Sequence, residues 1–367
     1  MNSKEGWGKL INTLKVPFHF GKKGSKIIGK EIVKKVRNIK EGINVKHLSY
    51  KKVEVIKINE GILQLIIISD KRLCALLGNN KLIIYNYNMK KIDININIRS
   101  SKVISLSNNR ILLETLSNSN LEIYQIDINT FRLSQELKKI NSEHSIVQFF
   151  SQNNLYINES YSEINSFVSV YKNLNHCYIL QTNIYFKIDK ILNIIEFEEK
   201  NYLAIQQYYS IISFYHLHTF EYISKIDFSY IQNLITENSL GLGLKLSEDK
   251  IIIPSFEGYI LIGDINYFLP YDTIKVNKSR AICKINKFSD GKFYSIEQYK
   301  KEENVGFERP FILQWEYEHD KFDIIGSINF KINHIKPISN FVELYNGNFA
   351  LTFLGKNKIR IYSLKEK

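Results

Sequence analysis

Few residues of this 367-residue chain stand where chemistry would need them. His216 and His218 alternate, which on a strand sets both rings on one face. Two such histidines could hold a metal, but no third ligand accompanies them, and a solvent-facing or satisfied strand face is the plainer reading. Gly241 and Gly243, within Leu240-Gly241-Leu242-Gly243-Leu244, lack the third glycine and the following helix of a dinucleotide site. Close packing within a strand explains them better. The carboxylates at Glu196, Glu198 and Glu199, and at Glu302 and Glu303, read as solvated turns rather than as an acid/base pair across a defined gap. Cys74, Cys177 and Cys283 are scattered, with no CxxC or Cys/His cluster, so no zinc site is expected. No GxSxG, HExxH or P-loop motif occurs. The expectation is a non-enzyme without metal or cofactor.

Composition narrows the class. Apolar residues make up 44% and charged residues 24%, as in a soluble globular protein. Abundant Tyr, Phe and Ile with only 5 prolines suit a sheet-rich chain. Asn, Ile and Lys richness is also what a biased genome gives, so a single Asn or Lys carries little weight. An odd, sparse cysteine count fits a reducing compartment. No apolar stretch approaches a membrane span, and no apolar segment follows the basic start. An intracellular protein, cytoplasmic or nuclear, is expected.

Charge is concentrated at the front. Residues 1–50 carry 12 Lys/Arg against 3 Asp/Glu, a balance of +9 out of the total of +13. Residues 1–45 therefore read as a basic extension. Trp7, Leu10, Ile11 and Leu14 fall at helical spacing until Pro17. After a glycine-bounded loop, Ser25 can cap a second helix striped by Ile28, Ile32, Val36 and Ile39 and ended by Gly42. Lys22, Lys23, Lys26, Lys30, Lys34, Lys35 and Arg37 lie before and around that stripe. Such an arm can dock on an acidic partner, RNA or an anionic surface, or can pack against the body with its lysines solvated. It makes a poor organelle-import peptide, having Glu5 and little Arg.

From residue 46 to 367 one stretch recurs: an apolar or alternating run closed usually by an aromatic and then a polar residue. Its anchors are Tyr85, Tyr124, Tyr171, Tyr215, Gly263, Trp315 and Tyr362, spaced 39, 47, 44, 48, 52 and 47 apart. A near-constant period of this size predicts propeller blades, each of four strands a to d from the axis outward. Turn residues agree, with Gly, Asn and Asp at Gly78-Asn79-Asn80, Asn108-Asn109, Glu257-Gly258, Asp290-Gly291 and Asn346-Gly347. The last repeat has only three strands, while an orphan strand near Lys52–Ile58 precedes the first. The front strand is expected to complete the last blade and close a seven-bladed, all-β ring.

The anchors with their following residues (Tyr85-Asn86, Gly263-Asp264, Trp315-Glu316) resemble the ends of WD repeats, in degenerate form. No repeat opens with the Gly-His of typical members. The chain is therefore similar to a divergent WD40-like seven-bladed propeller, and the resemblance implies an interaction platform. Lipid-binding propellers are known by a Phe-Arg-Arg-Gly run; Phe131-Arg132-Leu133-Ser134 departs from it.

In the usual propeller arrangement the b–c turns and d–a connections share the top face. The oversized b–c loop of blade six, from Tyr299 to Pro310, brings Tyr299, Phe307 and Arg309 there, joined by Lys278, Arg280 and His334 from d–a connections. The leading expectation is a scaffold whose top face binds a protein partner while the basic arm anchors it in a larger assembly. The alternative is a nucleic-acid- or ribonucleoprotein-associated protein whose arm neutralises phosphates. A tolerated insertion without a role is the plain reading of the loop.

Overall fold

The computed structural model describes residues 36–38 and 48–365 apart from connecting stretches, the longest at 140–145, 230–239, 300–310 and 330–336. Ahead of the ring stand β1 (Val36–Asn38) and β2 (Ser49–Lys57). Blade one comprises β3 (Ile62–Ile67), β4 (Leu73–Leu77), β5 (Lys81–Asn86) and β6 (Lys91–Asn97). Blade two comprises β7 (Lys102–Ser105), β8 (Arg110–Ser117), β9 (Asn120–Asp127) and β10 (Leu133–Lys139). Blade three comprises β11 (Ile146–Phe150), β12 (Asn154–Ser160), β13 (Ser166–Leu174) and β14 (Cys177–Phe186). Blade four comprises β15 (Ile191–Phe197), β16 (Tyr202–Gln207), β17 (Ile211–His216) and β18 (Tyr222–Asp227). Blade five comprises β19 (Leu244–Lys245), β20 (Lys250–Pro254), β21 (Tyr259–Asp264) and β22 (Leu269–Lys275). Blade six comprises β23 (Arg280–Lys287), β24 (Phe293–Tyr299), β25 (Phe311–Glu318) and β26 (Lys321–Asn329). Blade seven is β27 (Ile338–Glu343), β28 (Asn348–Phe353) and β29 (Lys358–Lys365), with β2 as its outermost strand.

Closure is as expected: β2 pairs antiparallel with β29, from Ser49↔Lys365 to Lys57↔Lys358. A blade cannot bury its two faces alone, so the core lies between blades. Seven buried clusters fill the seven interfaces, including the one that joins blade seven to blade one through Ile56, Ile62, Leu73, Ala350 and Ile361. Each fully buried Leu, Ile or Phe contributes roughly 1.5–3 kcal/mol.

The anchor position has a backbone signature. In all seven blades the outermost strand carries one extra residue opposite it, as between Tyr85↔Ile92 and Ile84↔Ile94 or Trp315↔Ile324 and Gln314↔Gly326. The closing strand reproduces this, with Tyr362↔Lys52 followed by Ile361↔Glu54. A bulge raises local twist, which the curved outer edge of a blade needs. Blade five has Gly263 at the anchor because the space is already filled. A Cβ there would lie 2.8 Å from Ile226 Cδ1 and 3.2 Å from the buried Phe228 ring, so the neighbouring blade supplies the missing aromatic.

The N-terminal extension requires a correction. The expected helix from Ser25 to Gly42 does not extend through residues 36–38, which are extended and pair parallel with β22 as Val36↔Thr273, Arg37↔Ile274 and Asn38↔Lys275. An open strand edge offers backbone partners that a short, isolated helix must supply for itself, and the edge wins over the amphipathic stripe. Farther on, the Leu48 amide donates to the Ser327 carbonyl at 2.8 Å on blade six. Gly326 makes room for it, since a Cβ there would lie 2.9 Å from Leu48 Cδ1. The front of the chain thus touches the outer edges of blades five, six and seven in turn. The rest of residues 1–47 lies outside the described residues.

Candidate functional site

Four large apolar side chains stand exposed on the face that carries the b–c turns and the starts of the innermost strands. They are Leu63 (58% exposed), Leu242 (54%), Phe256 and Leu354 (60%). Each sits on backbone that its surroundings hold. Leu63 is the extra residue of a bulge in β3, between Ile62↔Leu77 and Gln64↔Leu76. Phe256 occupies a turn pinned by buried Ser255, whose Oγ accepts from the Glu257 amide at 3.0 Å and whose carbonyl accepts from Gly258 and, across the blade interface, Ile282. Gly258, at φ 82°, takes the left-handed conformation this turn requires. Leu354 follows β28, and its amide donates to the Pro337 carbonyl at 2.9 Å.

Leu242 shows what the Gly-x-Gly is for. Gln206 of blade four donates Nε2 to the Gly241 carbonyl at 2.9 Å and accepts the Gly243 amide at 2.8 Å. Asn193 donates to the Gly243 carbonyl at 2.7 Å. The glycines let two amide side chains grip the backbone, and Leu242 points away from the grip. Similar latches join inner strands elsewhere: Gln64 makes a two-way pair with the Val103 backbone at 2.7 and 2.8 Å, Asn286 donates to the Phe341 carbonyl, and Asn340 accepts from the Leu65 amide. Sequence reasoning missed these. Their signal was an Asn or Gln set in an otherwise apolar inner strand, which compositional bias concealed.

Of the residues expected on this face, Arg280 and Tyr299 are direct register partners, at the start of β23 and the end of β24. Lys278, Phe307, Arg309 and His334 lie outside the described residues, as do Lys22, Lys23, Lys26, Lys30, Lys34 and Lys35 of the arm. Arg37 is in β1.

The solved WD40 β-propeller domain of Doa1 superposes on 87% of this chain and 98% of its own length, with a TM-score of 0.57 and 12% identity. The fold is a divergent, WD40-like seven-bladed propeller. At that identity the likeness is one of architecture, and the sequence matches no protein-family model and no curated protein.

This WD40-like ring has its own polar framework where typical members use His and Asp. In blade six the Trp315 indole donates to Ser295 Oγ at 2.8 Å, and Ser295 Oγ lies 3.1 Å from Glu297, all buried. In blade five the buried Lys250 ammonium bridges Asp249 at 2.8 Å and Asp264 at 3.0 Å and lies 4.6 Å from the Tyr271 ring centre. Burial alone would lower Lys250, but its hydrogen bonds to Asp249 and Asp264 outweigh that and hold it well above the ordinary lysine value. Asp264 Oδ1 also accepts the amides of Asn266 and Tyr267 at 2.8 and 3.2 Å, which fixes the c–d turn.

The other candidates resolve into structure. Glu196 accepts from Tyr156 of blade three, and Glu199 binds Lys245 of blade five, so these carboxylates clasp blade four to both neighbours. His216 ends β17, whereas His218 lies in the turn after it, with ring centres 6.4 Å apart. The expected shared strand face therefore fails, because the strand stops two residues too early. Among the described residues no group of His, Cys, Asp and Glu is disposed to hold a metal, and no helix is long and apolar enough to cross a membrane. Cys74 is buried and free, and burial pushes its thiol up, away from reactivity.

Proposed function

We propose that the protein is a non-enzymatic interaction scaffold whose face bearing Leu63, Leu242, Phe256 and Leu354 receives a protein partner. The observation that carries this is the exposure of those side chains on backbone already fixed by the ring. A preorganised apolar anchor loses little freedom on binding. Tyr299, Phe307 and Arg309 of the blade-six loop, with Lys278, Arg280 and His334, add aromatic and basic character at the margin. The partner should present apolar anchors flanked by acidic residues.

The second reading rests on the +9 balance of residues 1–50, which suits an arm that neutralises phosphates. Recovery from native extract separates the two. The full chain, Leu354→Asp and a chain starting at Lys46 are compared at low and high salt, with and without nuclease. The scaffold reading expects a protein set that resists salt and nuclease and is lost with Leu354→Asp. Recovery abolished by nuclease, or by removing residues 1–45, supports the nucleic-acid reading instead.

A further inference from the structure

The outermost strand of each blade leaves one row of backbone N–H and C=O groups unpaired unless something covers it, and charged side chains are the usual guard. Six of the seven outer strands carry charged residues: Lys91 and Asp93 in β6, Glu136 and Lys138 in β10, Lys225 and Asp227 in β18, Lys275 in β22, Lys321 and Asp323 in β26, Lys52 and Glu54 in β2. Strand β14 of blade three has none. Its ten residues read Cys-Tyr-Ile-Leu-Gln-Thr-Asn-Ile-Tyr-Phe, and it ends its sheet. Ile179 (49% exposed), Leu180 (47%) and Tyr185 (73%) face solvent along it.

The strand is also self-complementary. Reversed about the bond between Gln181 and Thr182, Tyr178 meets Tyr185, Ile179 meets Ile184 and Leu180 meets Asn183. In a regular strand these pairs would fall on opposite faces, since an even register offset is needed for two residues to share a side. The bulge at Gln181 removes the mismatch. Tyr178, Leu180, Asn183 and Tyr185 lie opposite Asn173, Tyr171, Ser169 and Phe167, which alternate onto one face of β13, whereas Ile179 and Ile184 lie opposite Lys172 and Val168 on the other. A two-fold axis perpendicular to the sheet therefore matches Tyr with Tyr and Ile with Ile on the correct sides.

We propose that β14 pairs antiparallel with β14 of a second copy of this chain, joining two blade-three sheets into one eight-stranded sheet about that axis. The interface is isologous and uses backbone groups that no other strand among the described residues pairs. An unrelated extended peptide would have no need of the internal symmetry, which is why a second copy is the better occupant.

Sedimentation equilibrium of the full chain from about 1 to about 100 μM tests this. A monomer–dimer equilibrium is expected, weakened at least about tenfold by Ile179→Lys and by Leu180→Lys, since each buries two unpaired ammonium groups in the dimer. Both positions are exposed in the monomer, so thermal unfolding should stay near wild type. In a Cys177→Ser background, Leu180→Cys with Asn183→Cys should form a disulfide between copies on oxidation, whereas Asn183→Cys alone should not. A chain that stays monomeric throughout overturns the proposal. So does a dimer that both lysine variants leave intact.

Discussion

The outer rim treats its edges in two ways. At blades five to seven the front of the chain lies along them: β1 on β22, Leu48 on β26 at Gly326, and β2 as a full strand on β29. At blade three nothing among the described residues pairs with the outer edge of β14, and its sequence lacks the charged residues that the other outer strands carry. A covered edge gains hydrogen bonds and loses its capacity to recruit; a bare, charge-free edge keeps that capacity. In this ring the two states are segregated, with stability invested on one side and availability left on the other.

The sharpest way to break the contrast is to remove the cover. A chain starting at Ile58 lacks β2 and with it Ile56, the Tyr85–Glu54 hydrogen bond and the edge of blade seven. It should lose cooperative unfolding and bind a hydrophobic dye, as judged by near-UV circular dichroism and dye fluorescence. Two lysines give the next test, because a charge counts differently inside the ring and at the bare edge. Lys250→Met strands the buried carboxylate of Asp264 and should cost about 3–5 kcal/mol in denaturant unfolding, whereas Ile179→Lys should cost almost nothing. Gly326→Val drives a side chain into Leu48 and should destabilise by roughly 1–3 kcal/mol, with faster amide exchange at Leu48 and Ser327.

The smallest effect expected is in acid. Burial alone would raise Asp249, but its hydrogen bonds with Lys250 and Ser247 outweigh this and hold it below the ordinary carboxylate value. A depressed carboxylate stabilises above its unfolded pKa and loses that contribution as pH falls through the folded value. Thermal stability should therefore decline below about pH 4, and Asp249→Asn should flatten the decline. At the alkaline end the contribution of Lys250, held above the ordinary value, is complete below the ordinary lysine value and is lost as pH rises from there through the folded one.

Much of the ring was readable because its signals are local and repeat. The anchor strands, the Gly and Asn turns and the missing fourth strand of the last blade are properties of neighbouring residues, and they located seven blades and their closure. What stayed hidden depends on residues distant in sequence. Nothing near Gly263 announces that Phe228 fills its place, and nothing near Gly241 announces Gln206. The Val36 stripe suggested a helix because periodicity cannot see the open edge of β22, more than two hundred residues away. The candidate face was legible only as loop length, at Tyr299–Pro310, while the exposed Leu63 and Leu354 look like any core leucines in the sequence.

Closure by a strand from the opposite end of the chain also has a temporal consequence. Strand β2 leaves the ribosome early, but its partner β29 begins at Lys358. At synthesis rates of roughly 5–20 residues per second, β2 waits for on the order of tens of seconds. Throughout that interval blades one to six can assemble side by side, yet the arc has two open flanks and no way to join them. The lysines of β2 then serve a purpose that the finished molecule conceals: they keep an early strand in solution, unattached, until its correct neighbour has been made.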